Sequence, residues 1–166
     1  MKKTTKIKRT KRINRVKGSK VVAVSGGFDP VHIGHVRLFQ AAKALGDKLV
    51  IILNNDHWFR VKGKSVFMPA TERKEILEAL ACVDEVVITG HSKDTKDISV
   101  CKELMKVKPY IFANGGDRFA DNIPEYELCQ NLGIKMAFNV GHGGKVRSSS
   151  LLLKEYSKEN HNKKKR

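Results

Sequence analysis

Long apolar runs are absent from this sequence. No uninterrupted apolar stretch approaches the roughly 20 residues that a membrane-spanning helix needs. The N-terminal segment is basic, and no apolar stretch follows it, so it does not have the pattern of a secretory signal peptide. We therefore expect a cytoplasmic protein without a membrane span.

Cysteine is scarce, with three residues among 166. Cys82, Cys101 and Cys129 lie far apart, and they show neither the paired spacing of metal ligands nor an even count. This pattern argues against a disulfide framework and predicts reduced thiols in an intracellular protein. Because a free cysteine is commonly a small buried hydrophobic residue, we assign these thiols no catalytic role.

Acidic residues are absent from the first 20 positions, which hold ten Lys or Arg. Residues 158–166 carry five basic residues and one Glu, so the two ends account for +10 and +4 of the formal charge of +16. We expect a disordered basic arm at 1–19, one folded domain at 20–157 and a basic tail at 158–166. The ends either solubilise the protein or make weak contacts with nucleic acid or an anionic surface.

Between the basic ends, strand-like and helix-like hydrophobic patterns alternate. Buried strands are predicted at 20–25, 48–53, 85–89, 110–113 and 134–140, and helices at 35–45, 69–81, 98–107, 124–132 and 148–156. This alternation predicts an α/β fold with a Rossmann-like, doubly wound, mostly parallel five-stranded sheet in a single domain. In such sheets ligands bind beyond the carboxyl ends of the strands.

The most specific signal is residues 26–35, Gly-Gly-Phe-Asp-Pro-Val-His-Ile-Gly-His, which follow the first strand. The two glycines permit a tight turn, and Gly34 lets a phosphate approach the start of the next helix, where free N–H groups favour anions. His32 and His35 project from neighbouring positions there, and both imidazoles can donate hydrogen bonds to an α-phosphate under attack. Two structural histidines, or a metal pair without an evident third ligand, are the alternatives.

Three more polar clusters follow predicted strands. After the second strand, Lys62 and Lys64 lie on a glycine-containing loop that can fold over a polyphosphate and a second anionic substrate. Residues 114–118, Asn-Gly-Gly-Asp-Arg, follow the fourth strand, where the glycines let a base or ribose lie against the backbone. Residues 145–150, Lys-Val-Arg-Ser-Ser-Ser, open the last helix, and a helix start capped by serine is again an anion site.

The string His32-Ile33-Gly34-His35 resembles the HxGH motif of the nucleotidylyltransferase superfamily, which class I aminoacyl-tRNA synthetases share. The resemblance extends over residues 20–156. Within the superfamily the chain looks most like the small cytidylyltransferases, such as glycerol-3-phosphate cytidylyltransferase, and like the adenylyltransferase domain of ADP-heptose synthase. A synthetase is disfavoured because the chain is short and has no Lys-Met-Ser-Lys-Ser signature.

The resemblance implies transfer of CMP or AMP from CTP or ATP to a small phosphorylated alcohol or sugar, with release of pyrophosphate. It also implies Mg²⁺ accompanying the triphosphate, and a homodimer. A coenzyme adenylyltransferase of the pantetheine-phosphate or nicotinamide-mononucleotide type is one alternative, because Ser148-Ser149-Ser150 resembles the former. A non-catalytic nucleotide- or RNA-binding module is the other, and the basic ends favour it.

These considerations predict three groups of site residues. The expected catalytic residues are His32, His35, Lys62 and Arg147. The expected nucleotide contacts are Gly26, Gly27, Phe28, Asp29, Gly34, Asn114, Gly115, Gly116, Asp117, Ser148, Ser149 and Ser150. The expected acceptor contacts are Asp56, Trp58, Lys64 and Arg73; the resemblance implies those of Asp56, Lys64 and Arg73, and Arg73 either points toward the phosphates or braces the loop.

Overall fold

Strands and helices alternate along the part of the chain that the computed structural model describes, residues 18–116, 118, 123–141 and 148–163. In chain order they are β1 (Val21–Gly26), α1 (Ile33–Lys43), β2 (Lys48–Leu53), α2 (Asp56–Val61), α3 (Ala70–Glu78), β3 (Glu85–Ile88), α4 (Cys101–Val107), β4 (Ile111–Ala113), α5 (Tyr126–Leu132), β5 (Lys135–Ala137) and α6 (Ser149–Lys163). None of the helices in these ranges combines the length and the apolar composition that crossing a bilayer requires.

All neighbouring strands pair in parallel, in the order β3-β2-β1-β4-β5. The pairing of β1 with β2 runs from Val21 opposite Lys48 to Gly26 opposite Leu53, which makes β1 the centre of the sheet. The chain leaves β1 toward one edge and returns to its other side as β4. This reversal creates a crevice beyond the ends of β1 and β4, where ligands bind in sheets of this kind.

The central strands are apolar on both faces because helices cover both faces of the sheet. On one face Val22, Val24 and Leu49 pack with Phe39 and Leu77 in one hydrophobic cluster. On the opposite face, a second hydrophobic cluster is formed by the buried residues Ala23, Ile52, Val100, Leu104, Phe112, Ile123, Cys129 and Ile134. Residues 22 and 24 face one side and residue 23 the other, as the two-residue period of a strand requires. The expected Rossmann-like sheet is thus confirmed.

One helix was not expected, because residues 54–64 were predicted to be a loop. Instead, α2 begins after Asn55, whose side-chain Oδ1 accepts the backbone N–H of Trp58 at 3.0 Å. Trp58 and Phe59 are buried at 8% and 7% exposure, and this burial stabilises a helix too short to persist alone. The prediction of a loop was therefore wrong for α2 itself, whereas Lys62 and Lys64 do lie in the non-helical segment that follows it.

Several predicted boundaries also shift. Helix α4 begins at Cys101 instead of residue 98, because the N–H of Ser99 donates to Asp97 Oδ1 in a local turn. Strand β5 covers Lys135–Ala137 and is shorter than the predicted 134–140. Helix α6 continues to Lys163, into the segment expected to be a separate tail. Most of the predicted basic arm, residues 1–17, lies outside the described residues.

Candidate functional site

The histidines of residues 26–35 form the start of α1. His32 is the N-cap residue, and its Nδ1 accepts the backbone N–H of Gly34 at 3.1 Å. The Nδ1 atom of His35 accepts the backbone N–H of His32 at 3.4 Å. The two rings stack with centroids 3.7 Å apart. Because each Nδ1 is an acceptor, the hydrogen-bond network assigns the ring proton of each neutral imidazole to Nε2.

His35 lies against aromatic rings that exclude water. The Phe28 ring meets it edge-on at 5.0 Å, and the Phe39 ring lies 6.4 Å away. Burial, followed by the charge of His32, lowers the pKa of His35 from 6.5 to about 3. At neutral pH His35 is thus an uncharged hydrogen-bond donor. It can stabilise negative charge on a phosphate, as a neutral oxyanion donor does elsewhere.

The backbone of the motif is held in an uncommon conformation. Phe28 has φ of 51°, a left-handed value that is costly for a bulky residue and that persists only where the surroundings impose it. At Gly27 the chain passes so close to the Phe59 ring that a Cβ atom would collide with Phe59 Cζ. The strained turn and the close approach together fix the position of the histidine pair relative to β1.

Asp29 serves the protein scaffold in this structure. It is 5% exposed, and its two carboxylate oxygens accept the backbone N–H groups of Phe67 and Met68 at 2.7 and 2.9 Å. These bonds tie the segment before α3 to the motif, and they place the Phe67 ring beside the site. The nucleotide contact expected for Asp29 has no support in these bonds and stays a prediction.

Arg73 is fully buried and its guanidinium is occupied by protein oxygens. Nε donates to the Met68 carbonyl at 2.8 Å, and Nη1 donates to the carbonyls of Gly27 and Asn54 at 2.6 and 2.9 Å. Nη2 donates to Asp56 Oδ1 at 2.6 Å. These bonds join the ends of β1 and β2 to α2 and α3. They support the bracing role for Arg73 and give no support to the expected acceptor contacts of Arg73 and Asp56.

Two cavities open at the carboxyl edge of the sheet. The large cavity, of about 900 Å³, is lined among others by Trp58, Phe59, Lys64, Phe67 and the serines at residues 148–150. The small cavity, of about 230 Å³, is lined among others by Gly26, Gly34, Asn114, Gly115 and Gly116. Gly27, Phe28, His32, His35 and Arg118 line both cavities. The structure thus brings together residues from four separate segments around the histidine pair.

The two lysines after α2 have different surroundings. Lys64 lines the large cavity, whereas Lys62 Nζ lies over the Trp58 ring, 4.7 Å from its centroid. The pKa of Lys62 is lowered by burial and then by the charges of Arg118 and Lys64, while Glu125 raises it. Trp58 itself is anchored, because its Nε1 donates to the Ile98 carbonyl at 2.9 Å. Both lysines therefore lie at the large cavity or beside its wall.

The start of α6 closes the large cavity from the opposite side. Ser149 Oγ donates to the Pro30 carbonyl at 2.9 Å, and Ser148 Oγ accepts the N–H of Leu151 at 3.2 Å as a cap. Ser150 lines the cavity as well. Asp117 and Arg147, which were also expected in the site, lie outside the described residues.

Sequence reasoning missed several cavity-lining side chains, among them Phe67, Arg118, Lys154 and Ser157. Arg118 lines both cavities, and Lys154 and Ser157 line the large cavity from α6. Arg118 belongs to the glycine-rich segment 114–118 that was singled out, and its position two residues after Gly116 was the available signal. Lys154 and Ser157 lie four and seven residues after Ser150, on one face of a helix, and only the helix direction reveals them.

The described residues contain no group of three or more His, Cys, Asp or Glu side chains arranged to hold a metal ion. Asp29, the carboxylate in the wall of the large cavity, already accepts two backbone N–H groups. A metal ion held by the described residues of this site would therefore need further ligands from a bound substrate.

Comparison with known proteins identifies a matching family and several relatives of this chain. A family model described as cytidylyltransferase-like matches residues 23–140. The bifunctional protein HldE of Pelobacter propionicus is 38% identical over 121 residues, which are 72% of this chain and 24% of that protein. The FAD synthase of Pyrococcus abyssi is 34% identical over 116 residues, 69% of this chain and 75% of that protein. This chain thus spans about a quarter of the HldE proteins that it matches.

Solved structures show the same fold. The lipopolysaccharide core biosynthesis protein of Thermoplasma volcanium superposes with a TM-score of 0.62 at 27% identity, covering 76% of this chain and 100% of that chain. A protein of unknown function from Archaeoglobus fulgidus superposes with a TM-score of 0.52 at 19% identity. The second likeness concerns the fold alone.

Proposed function

Because the chain belongs to the cytidylyltransferase-like family of nucleotidyltransferases, we propose that it transfers a nucleoside monophosphate from a nucleoside triphosphate to a small phosphorylated acceptor. The observation that carries this proposal is the stacked pair of histidines at the start of α1, where the two cavities meet. Donor and acceptor phosphates brought together at this point would face both imidazoles.

In this reaction an acceptor phosphate oxygen attacks the α-phosphorus in line. A new P–O bond forms, the bond from the α-phosphorus to the bridging oxygen of the β-phosphate breaks, and pyrophosphate leaves with that electron pair. Positioning and charge stabilisation supply most of the rate, since phosphoryl transfer needs little covalent help from protein. No general base is required, because the acceptor phosphate is already ionised near neutral pH.

The two cavities suggest how the substrates lie. The triphosphate and the acceptor would occupy the large cavity, with phosphate contacts from Lys64 and the Ser148–Ser150 segment at the start of α6. The base and ribose would lie in the small cavity against Asn114, Gly115 and Gly116. The two histidines would donate from Nε2 to the α-phosphate where the two cavities meet. Lys62, Asp117 and Arg147 remain predicted contributors.

The described residues fit a magnesium ion that arrives bound to the triphosphate. They include no cage of three protein ligands, and Mg²⁺ commonly keeps waters and substrate phosphates as its ligands. Mg²⁺ would neutralise charge on the phosphates when bound. The described side chains bind and orient the phosphates around it.

ATP is the donor that the relatives favour, because FAD, the product named for the synthase, contains an AMP group. For the acceptor we propose a phosphorylated sugar or alcohol, such as a heptose-1-phosphate-like or glycerol-3-phosphate-like compound. This follows the adenylyltransferase domain of ADP-heptose synthase, to which the HldE match corresponds. CTP remains the alternative donor.

A coenzyme adenylyltransferase is the second candidate, and the wall of the large cavity favours it. The Phe67 ring is 56% exposed there, beside Trp58 and Phe59. An exposed aromatic face held in place by Asp29 is suited to stacking on a planar ring in the acceptor. The match to FAD synthase, of which this chain covers 75%, points the same way.

A pyrophosphate-release screen tests both candidates. Each of the four nucleoside triphosphates is incubated with Mg²⁺ and a panel of glycerol, heptose and other sugar phosphates, flavin mononucleotide, nicotinamide mononucleotide and phosphopantetheine. We expect acceptor-dependent pyrophosphate release with one donor, and the acceptor that supports it decides between the candidates. Absence of release with every pair would overturn the proposed function.

A further inference from the structure

Arg118 lies at the junction of the two cavities. Of the five residues that line both of them, Gly27 and Phe28 offer no polar side chain, whereas His32, His35 and Arg118 do. The histidines come from the start of α1, and Arg118 comes from the segment after β4. The pairing of β1 with β4 brings these two segments side by side at the carboxyl edge of the sheet.

The loop after α2 is a third segment that brings positive charge to the large cavity. Lys64 lines the large cavity together with Arg118. Burial and then the charges of Arg118 and Lys64 lower the pKa of Lys62, whose Nζ lies over the Trp58 ring. Glu125, which is 4% exposed, opposes this effect on the pKa of Lys62. Cations gathered from two separate segments repel one another, and an anion placed between them removes that cost.

We propose that Arg118 binds the phosphate groups of donor and acceptor where they react, at the junction of the two cavities. This inference rests on the proposed function and adds a contact that neither histidine supplies. A guanidinium is a fixed, planar fork that holds two phosphate oxygens at once, and it stays charged at every relevant pH. Together with the neutral imidazole donor of His35, it provides formal positive charge next to the phosphorus under attack.

Kinetics of two substitutions at this position test the proposal. We expect Arg118→Gln to lower kcat on the order of 10- to 100-fold in pyrophosphate release, because a charge-assisted contact made in the transition state is lost. Arg118→Lys keeps the charge without the fork and should retain an intermediate kcat. Arg37→Gln is the matched control, because Arg37 is an exposed residue of α1 that lines neither cavity, and its kcat should stay within about twofold of wild type.

Binding measurements separate this inference from the proposed function. ATP and CTP, each with Mg²⁺, are titrated calorimetrically, and the nucleotide that wild type binds more tightly is used for the comparison. Arg118→Gln should bind that nucleotide more weakly than Arg37→Gln does. Equal thermal midpoints would show that the variants are folded. If wild type binds nucleotide but turns over no acceptor, the proposed reaction fails, and the binding comparison alone decides the role of Arg118.

The inference is overturned if Arg118→Gln matches Arg37→Gln in both kcat and nucleotide affinity. It is overturned as well if wild type binds neither ATP nor CTP, in which case the proposed function falls with it. A variant that loses affinity and kcat while keeping its thermal midpoint supports the assignment.

Discussion

At the scale of single residues, the site depends on His35 remaining uncharged. The aromatic rings of Phe28 and Phe39 pack around it, and its Nδ1 already accepts a backbone N–H from His32. A charged imidazole in this position would lose hydration and would gain repulsion from His32. The start of α1 therefore presents a neutral donor to an anionic ligand, and it can do so across the physiological pH range.

This environment makes the stability of the protein depend on pH in a defined window. The unfolded chain takes up a proton at His35 near the ordinary pKa of 6.5, whereas the folded chain resists protonation down to about 3. Because the unfolded state then binds more protons, the free energy of unfolding should fall as the pH drops below 6.5 toward 3. Urea unfolding at about pH 7.5 and about pH 5, on either side of that pKa, measures the loss of unfolding free energy.

The variant His35→Gln isolates this contribution, since glutamine cannot titrate. It should lose less unfolding free energy between the two pH values than wild type does, although it is less stable at the higher pH. An identical loss in wild type and variant would contradict the assignment of the pH dependence to His35.

The sequence predicted where the histidine motif lies, but it did not predict which group each polar side chain contacts. His32 and His35 were expected at a helix start, and they lie there. Asp29 and Arg73 were expected to contact substrates, yet both bind backbone groups of the protein. Whether a polar side chain faces a cavity or a backbone carbonyl depends on which segment packs beside it. That segment is distant in sequence, so the local sequence pattern cannot predict it.

At the scale of elements, α2 shows where local patterns fail. Its six residues contain no helical repeat long enough to recognise, and a helix of this length is unstable alone. Burial of Trp58 and Phe59, the Asn55 cap and the ion pair between Asp56 and Arg73 stabilise it through contacts with the rest of the fold. These contacts are tertiary, so they follow from the sheet and helices around α2.

Removing the brace should loosen this region. We expect Arg73→Met to lower the free energy of unfolding by about 3 kcal/mol or more, because buried carbonyls and the Asp56 carboxylate lose their donor. The neighbouring change Lys74→Met is the control. It removes a partly exposed pair with Glu78 along α3 and a long hydrogen bond to the Val86 carbonyl, and it should cost at most about 1 kcal/mol.

Chemical denaturation of the two variants and wild type provides the measurement. A cost for Arg73→Met no larger than that for Lys74→Met would show that Arg73 is not a brace. It would also restore the expectation that its guanidinium contacts the acceptor.

At the scale of the whole molecule, the sheet was predictable and the cavities were not. Continuous apolar runs at 20–25 and 48–53 indicated buried parallel strands, and the family comparison confirms the nucleotidyltransferase assignment that the motif suggested. The cavities arise where segments after β1, β2 and β4 converge with the start of α6. That convergence depends on strand order and helix direction together. The implied homodimer stays a prediction.

The charge distribution predicts that catalysis and nucleic-acid contact can be separated. Residues 1–17 contain nine of the 33 Lys and Arg residues, and they lie outside the described residues. A chain beginning at Gly18 should keep the wild-type rate of pyrophosphate release, since the cavity-lining residues that the structure describes all follow it. Its affinity for RNA should fall, and the remaining affinity should depend less steeply on salt.

Steady-state kinetics and a salt titration with a single-stranded RNA probe provide the two measurements for this truncated chain. A large loss of turnover upon truncation would contradict the separation and would place part of the basic arm in the site.

The central claim is that the histidine pair at the start of α1 stabilises the α-phosphate during transfer, and the turnover of His35→Ala tests it most directly. With the substrate pair identified by the screen, pyrophosphate release should fall by about 100-fold or more, while His57→Ala, on α2 outside both cavities, stays within a few-fold of wild type. Circular dichroism should show both variants folded. Near-normal pyrophosphate release from folded His35→Ala would contradict the account.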